Sequence, residues 1–226
     1  TDIVHVEGSV DPVRDIETID TELILSDLEV VENRLAKMEK AGKTGDKKAA
    51  AAAAWLAPLA QHLGQGKNAR TFAFDEEDDE QAAMVREMGL LTKKPIIYAA
   101  NMSEDDLLGG MQENPHYQTV KRLAEGEGAK CIPICAKTEE DIADYSPEEK
   151  KAFLAEMGIE ATGLDNLIQA SYSLLGLISF LTDGKKECRA WTIRAGTKAP
   201  QAAGKIHSDF ERGFIRASVV AYDDFA

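Results

Sequence analysis

The 226-residue sequence lacks any uninterrupted apolar run of about 18 residues, the length that a membrane-crossing helix needs. Its first residues also lack the basic, apolar, small-residue order of a secretion signal. The two absences point to a cytoplasmic protein with no membrane partner. Cysteine is scarce: Cys131, Cys135 and Cys188 form an odd set without CxxC spacing, which suits reduced packing residues better than a disulfide framework or a zinc site. Positive charge is also short. A formal net charge of −14 argues against a protein that coats nucleic acid with its whole surface. The deficit is uneven, however. Residues 185–216 hold eight basic and three acidic side chains, a local charge of +5 that leaves −19 for the rest, and so read as a separate module with its own partner.

Glycine and proline are absent from Val13 to Lys40, and within that stretch Ile24, Leu28, Val31, Leu35 and Met38 recur at steps of 4, 3, 4 and 3. This spacing predicts a long amphipathic helix with a coiled-coil seam. Gly42 to Asp46 supplies a turn, and the alanine-rich run to Leu63 predicts a second helix with Trp55, Leu56, Leu59 and Leu63 along one stripe. The pair reads as an antiparallel hairpin, with Pro58 expected to kink its second arm. The acidic run Asp75–Glu80 is expected to open a helix ending near Gly89, where its charge meets the helix dipole, rather than to bind a metal. Thr1 to Val6, before the hairpin, alternates like an extended strand end.

Beyond the hairpin, Pro95–Ala100 and Lys130–Cys135 read as strands buried on both faces. Helices are expected over Tyr117–Glu127, Ser146–Met157 and Leu164–Leu181, and a β-rich segment with a short Ala199–His207 helix closes the chain. Strand, helix, strand, helix predicts a parallel α/β sheet, in which ligands bind outside the carboxyl ends of the strands. Asn101-Met-Ser-Glu104 follows the first strand and Cys135-Ala-Lys137 ends the second, so both fall where a ligand would lie. Taken alone, Asn101 reads first as an ordinary turn residue, and Ser103–Asp106 as a helix cap.

These two loops resemble the base-reading NKxD and SAK loops of the GTPase superclass, with NxxE in place of NKxD and Cys135 in place of serine. The run Asp15–Leu23 through Asp27-Leu28 resembles the opening of a coiled-coil insertion. Arg189–Ile193, followed by Ala199–Arg216, resembles a TGS domain. In this order the motifs are similar to those of Obg-like, adenine-selective P-loop ATPases of the YchF type. The resemblance covers essentially the whole chain and is loosest over residues 42–92. It implies an α/β fold: part of a P-loop NTPase parallel sheet (residues 1–12 and 90–184), an inserted antiparallel helical coiled-coil hairpin (13–89) and a β-grasp-like TGS domain (185–226).

The change from NKxD to NxxE has a chemical reading. The short aspartate of NKxD accepts from guanine's ring N–H and exocyclic amine, whereas adenine presents a lone pair at the first position and lacks the second amine. Glu104 is one methylene longer and is expected to turn aside. Asn101 then buttresses the loop and Met102 meets the adenine. Asn101, Met102, Glu104, Cys135, Ala136 and Lys137 are therefore the expected base-binding set.

No GxxxxGK[ST] occurs. The resemblance accordingly implies that ATP and Mg²⁺ belong to an intact parent that hydrolyses ATP. The present sequence is expected to be a fragment that lacks the phosphate-binding half, binds neither tightly and is inactive alone. No catalytic residue and no metal ligand is expected among its own residues, His5, His62 and His116 included. Lys198, Lys205, His207 and Arg212 are candidates for RNA or ribosome contact, made through the TGS domain together with the hairpin. His207 reads as a helix cap as readily as a contact. A monomeric, ribosome-associated ATPase is the expected function, and a non-enzymatic RNA or ribosome adaptor is the alternative.

Overall fold

The computed structural model describes residues 8–75, 77–184 and 187–225. The extended opening expected over Thr1–Val6, and Lys185 and Lys186 of the basic segment, lie outside the described residues. The chain forms two compact units, one running to Asp141 and the other beginning at Ile142.

In the first unit, α1 (Pro12–Lys43) starts where Asp11 accepts from the Arg14 N–H and Pro12 presets the first turn. After a three-residue turn α2 (Lys47–Gly64) begins, capped by Asp46, which accepts from the N–H groups of Lys48 and Ala49. The helices pinch together at the turn. A Cβ on Gly42 would stand 3.2 Å from Ala50 Cα, and Gly45 takes a φ of +100°, so both glycines are required by geometry. Ile24 and Val31 of α1 share a buried core with Leu56, Leu59 and Leu63 of α2, against which Leu28, Leu35, Met38 and Trp55 pack, so the seam of the sequence is the interface. Helix α2 continues through Pro58, whose missing N–H falls on its exposed side. Phe72, Phe74 and Leu90 close the root of the hairpin, with Phe74 edge-on to Trp55. Helix α3 (Asp79–Met88) is capped by Asp78 and stopped by Gly89 in the left-handed region, so only the end of the acidic run faces its dipole.

Strand β1 (Ile97–Asn101) and strand β2 (Lys130–Ile134) pair in parallel, Ile97 opposite Lys130 and Asn101 opposite Ile134. Helix α4 (Pro115–Gly126), capped by Asn114, connects them and buries Tyr117, Val120 and Ala124. Both strands are half-buried rather than buried on both faces, because among the described residues this sheet is two strands wide and α4 packs against them. The short helix α5 (Ala136–Asp141) ends the unit.

In the second unit, α6 (Pro147–Met157) carries a full capping box between Ser146 and Glu149. Helix α7 (Gly163–Leu174) is shorter than the expected Leu164–Leu181. Gly176, at φ +61°, turns the chain, and Leu177–Asp183 leaves the helix as strand β3. The reason is the strand that comes next in the chain: β3 pairs antiparallel with β4 (Cys188–Arg194), Phe180 opposite Trp191. Helices α8 (Ala199–Ile206), α9 (Ser208–Arg212) and α10 (Tyr222–Phe225) follow, α8 and α9 meeting where Gly204 leaves room for the Glu211 side chain.

Candidate base-binding site and its attachment to the hairpin

Parallel pairing in register brings the ends of β1 and β2 side by side, which places the two sequence-marked loops together. The Met102 N–H donates to the Ile134 carbonyl at 2.8 Å, extending the ladder one step past Asn101. The Ala136 N–H donates to the Asn101 side-chain oxygen at 3.1 Å. The asparagine is thus a clamp between the loops: its amide oxygen satisfies a backbone donor that no strand neighbour reaches. Met102 is half-buried beside it, while Asn101, Glu104, Ala136 and Lys137 are exposed. Cys135 is 3% exposed, so what it offers a ligand is backbone rather than its thiol. Past Met102, Ser103 Oγ donates to Asp106 at 2.7 Å and accepts from the Asp106 N–H, and the chain then winds into a π-helical turn over Asp106–Gly110. Glu104 lies in the turn that precedes it.

Two groups of polar residues given no role by the sequence hold β1 and the segment leading into it to the hairpin. Asp27, 2% exposed on α1, accepts from the N–H groups of Leu91 and Thr92, each at 2.7 Å, and from the Thr92 hydroxyl at 2.6 Å. The same hydroxyl accepts from the Ala69 N–H. Nearby, Arg70 lies 3.6 Å from Glu127 at the end of α4 and 4.0 Å from Asp20 of α1, and the Tyr98 hydroxyl of β1 donates to Glu127 at 2.9 Å. Burial, and then that bond to Glu127, push the Tyr98 phenol well above its usual range. The clue available in the sequence was a carboxylate at position 27, directly beside the apolar seam.

In the second unit, the four RNA-contact candidates sit on or next to α8 and α9, and all four are exposed. Lys198 precedes α8, Lys205 lies in its last turn, and Arg212 ends α9. His207 caps α9: its Nδ1 accepts from the Asp209 N–H at 3.2 Å, and its ring centroid is 6.0 Å from that of Phe210. Of the aromatic residues in the same segment, Trp191 is engaged in the β3–β4 ribbon, donating to Thr182 and lying under the Arg189 guanidinium, whereas Phe210 is 54% exposed. Among the described residues no group of histidine, cysteine and carboxylate side chains could hold a metal, and no helix is long and apolar enough to cross a membrane.

Residues 177–226 match the YchF-GTPase_C family, described as a protein of unknown function (DUF933). The chain is 50% identical over 222 residues to a protein of Bacillus subtilis named ribosome-binding ATPase YchF, covering 98% of this chain and 60% of that protein. It is 45% identical over 223 residues to the protein of the same name from Escherichia coli O157:H7, covering 99% of this chain and again 60% of the relative. Among solved structures it is similar to the Schizosaccharomyces pombe YchF GTPase, with a TM-score of 0.79 and 34% identity over 95% of this chain and 57% of that one. The chain therefore spans about three-fifths of the length of the relatives it matches.

Proposed function

Since the chain belongs to the YchF family, we propose that the intact protein is an ATP-binding and ATP-hydrolysing cytoplasmic switch that acts on the ribosome, and that this chain carries its base-reading half. The observation that carries the reading is the Asn101 clamp, which joins the NxxE loop to the Cys135-Ala-Lys137 loop at the ends of paired parallel strands. A purine edge laid against such a clamp meets fixed backbone groups of Met102 and Ala136, which need no reorganisation to bind. Adenine in this pocket encounters no carboxylate aimed at its ring nitrogen, because Glu104 belongs to the following turn. Lys137 covers the base from the second loop. The residues thus fit the base end of ATP, while the triphosphate and Mg²⁺ are held by the part of the intact protein outside this chain, which on its own is inactive. ATP supplies the γ-phosphate whose hydrolysis resets the switch, and the residues here select and orient the base.

Calorimetric titration of the intact protein with ATP and GTP tests this reading. ATP is expected to bind more tightly, and the pair Met102→Lys with Glu104→Asp to narrow the ratio at least about tenfold, the equivalent of ~1.4 kcal/mol. An unchanged ratio would overturn the account of the loop.

The second reading, a ribosome or RNA adaptor without hydrolysis, is favoured by the exposed basic residues Lys198, Lys205 and Arg212 around the His207 cap. A full-length protein with no ATP turnover but with salt-sensitive ribosome binding would select it.

A further inference from the structure

Charge is segregated along the hairpin. Residues 12–36 of α1 carry seven carboxylates and two arginines, whereas residues 37–48 carry Lys37, Lys40, Lys43, Lys47 and Lys48 against Glu39 and Asp46. All five lysines are exposed. Helix α2 contains no acidic residue from Lys47 to Gly64, so nothing on the returning arm offsets them. Two of the five have local counter-charges: Lys48 pairs with Glu80, and Lys37 contributes to the field around Glu87, itself paired with Arg34. Asp46 is occupied as the cap of α2. Lys40, Lys43 and Lys47 hold no ion pair among the described residues.

Folding alone accounts for only part of this pattern. Lys40 and Lys43 suit the negative end of the α1 dipole, but Lys47 stands at the positive end of α2, where a cation is disfavoured and a carboxylate is the stabilising choice. Three solvated ammonium groups thus converge on a turn pinched by Gly42, at the end of an arm whose other end is acidic, in a chain of net charge −14. An extended polyanion is attracted to the tip and repelled from the root, which fixes the direction of approach as well as the place of contact.

We propose that the hairpin tip is a phosphate-backbone contact, with Lys40, Lys43 and Lys47 seated on ribosomal RNA. This rests on the ribosome reading above and assigns it a surface separate from the basic residues of α8 and α9. Each lysine that neutralises a phosphate releases condensed counterions, so the contact has a signature in salt dependence that does not require a particular RNA sequence.

The test measures binding of the intact protein to purified ribosomes and to a fluorescent mixed-sequence double-stranded RNA across a salt series. It compares the parent, Lys40→Gln/Lys43→Gln/Lys47→Gln, the same three positions changed to arginine, and Lys198→Gln/Lys205→Gln/Arg212→Gln. The glutamine triple variant is expected to lower the slope of log affinity against log salt by about two to three, roughly 0.7–0.9 per lysine. The arginine variant should keep the slope, and ATP affinity should be unchanged in both. A glutamine variant with the parental slope on ribosomes and RNA, while the α8–α9 variant lowers it, overturns the tip contact and leaves the ribosome reading intact. Loss on ribosomes with no change on naked RNA overturns the phosphate assignment in favour of an acidic protein surface. A parent that binds neither overturns both this proposal and the ribosome reading.

Discussion

Asp27 is the attachment whose removal has the most calculable effect. Its carboxylate is almost wholly buried and accepts three hydrogen bonds, two from the backbone of Leu91 and Thr92 and one from the Thr92 hydroxyl. In Asp27→Asn one oxygen becomes an NH₂ group, and whichever way the amide turns, that group faces a backbone N–H. The variant loses charge assistance and one acceptor together, a cost of ~2 kcal/mol. In Asp27→Ala all three donors are left without a partner in the interior, and the cost rises to ~3–4 kcal/mol. These penalties act on local opening, so hydrogen exchange of the intact protein reads them directly. The Leu91 and Thr92 amides should exchange roughly 30-fold faster in the asparagine variant and 10²–10³-fold faster in the alanine variant, at about tenfold per 1.4 kcal/mol. The Ala69 amide, which donates to the Thr92 hydroxyl, should follow them, and the β3–β4 amides of the second unit should not change. Protection of Leu91 and Thr92 within twofold of the parent in both variants would refute the argument.

Two further outcomes follow from the same region. Asn101→Ala should weaken ATP binding by the intact protein roughly fivefold, from the loss of ~1 kcal/mol with the Ala136 bond, while Asn101→Asp, which keeps an accepting oxygen, should restore the Ala136 amide's protection. The raised phenol of Tyr98 contributes stability that is complete below the ordinary tyrosine range near pH ~10 and is lost as pH climbs through its higher native value, so alkaline unfolding of the first unit should be shallower in Tyr98→Phe, followed by circular dichroism.

The hairpin was legible because its signal is local and repeated. Ile24, Leu28, Val31, Leu35 and Met38 mark one face by spacing alone, and the partner stripe from Trp55 to Leu63 lies a short turn away. The juxtaposition of the two loops was legible for a different reason: Asn101 and Ala136 are 35 residues apart, yet each directly follows or ends an apolar strand, and parallel pairing then brings strand ends together. Leu177–Leu181 was misread as helix because Leu164, Ile168, Tyr172, Leu175 and Ile178 keep a helical rhythm across Gly176. The strand is selected by antiparallel pairing with Cys188–Arg194, the next strand in the chain, which outweighs the helical rhythm. Asp27 was given no role for a different reason. Its partners are 64 and 65 residues away and are mostly backbone groups, and backbone groups carry no sequence signature.

The fastening of α1 to Leu91 and Thr92 makes the hairpin a rigid lever rather than a loose appendage. Asp27 lies 16 residues before the end of α1 at Lys43, or ~24 Å at 1.5 Å per residue. Thr92 in turn lies five residues before β1, the strand that ends in the base clamp. A tilt of roughly 5° at that fulcrum sweeps the lysine-bearing end through about 2 Å, so small displacements of β1 are magnified at the far end of the arm.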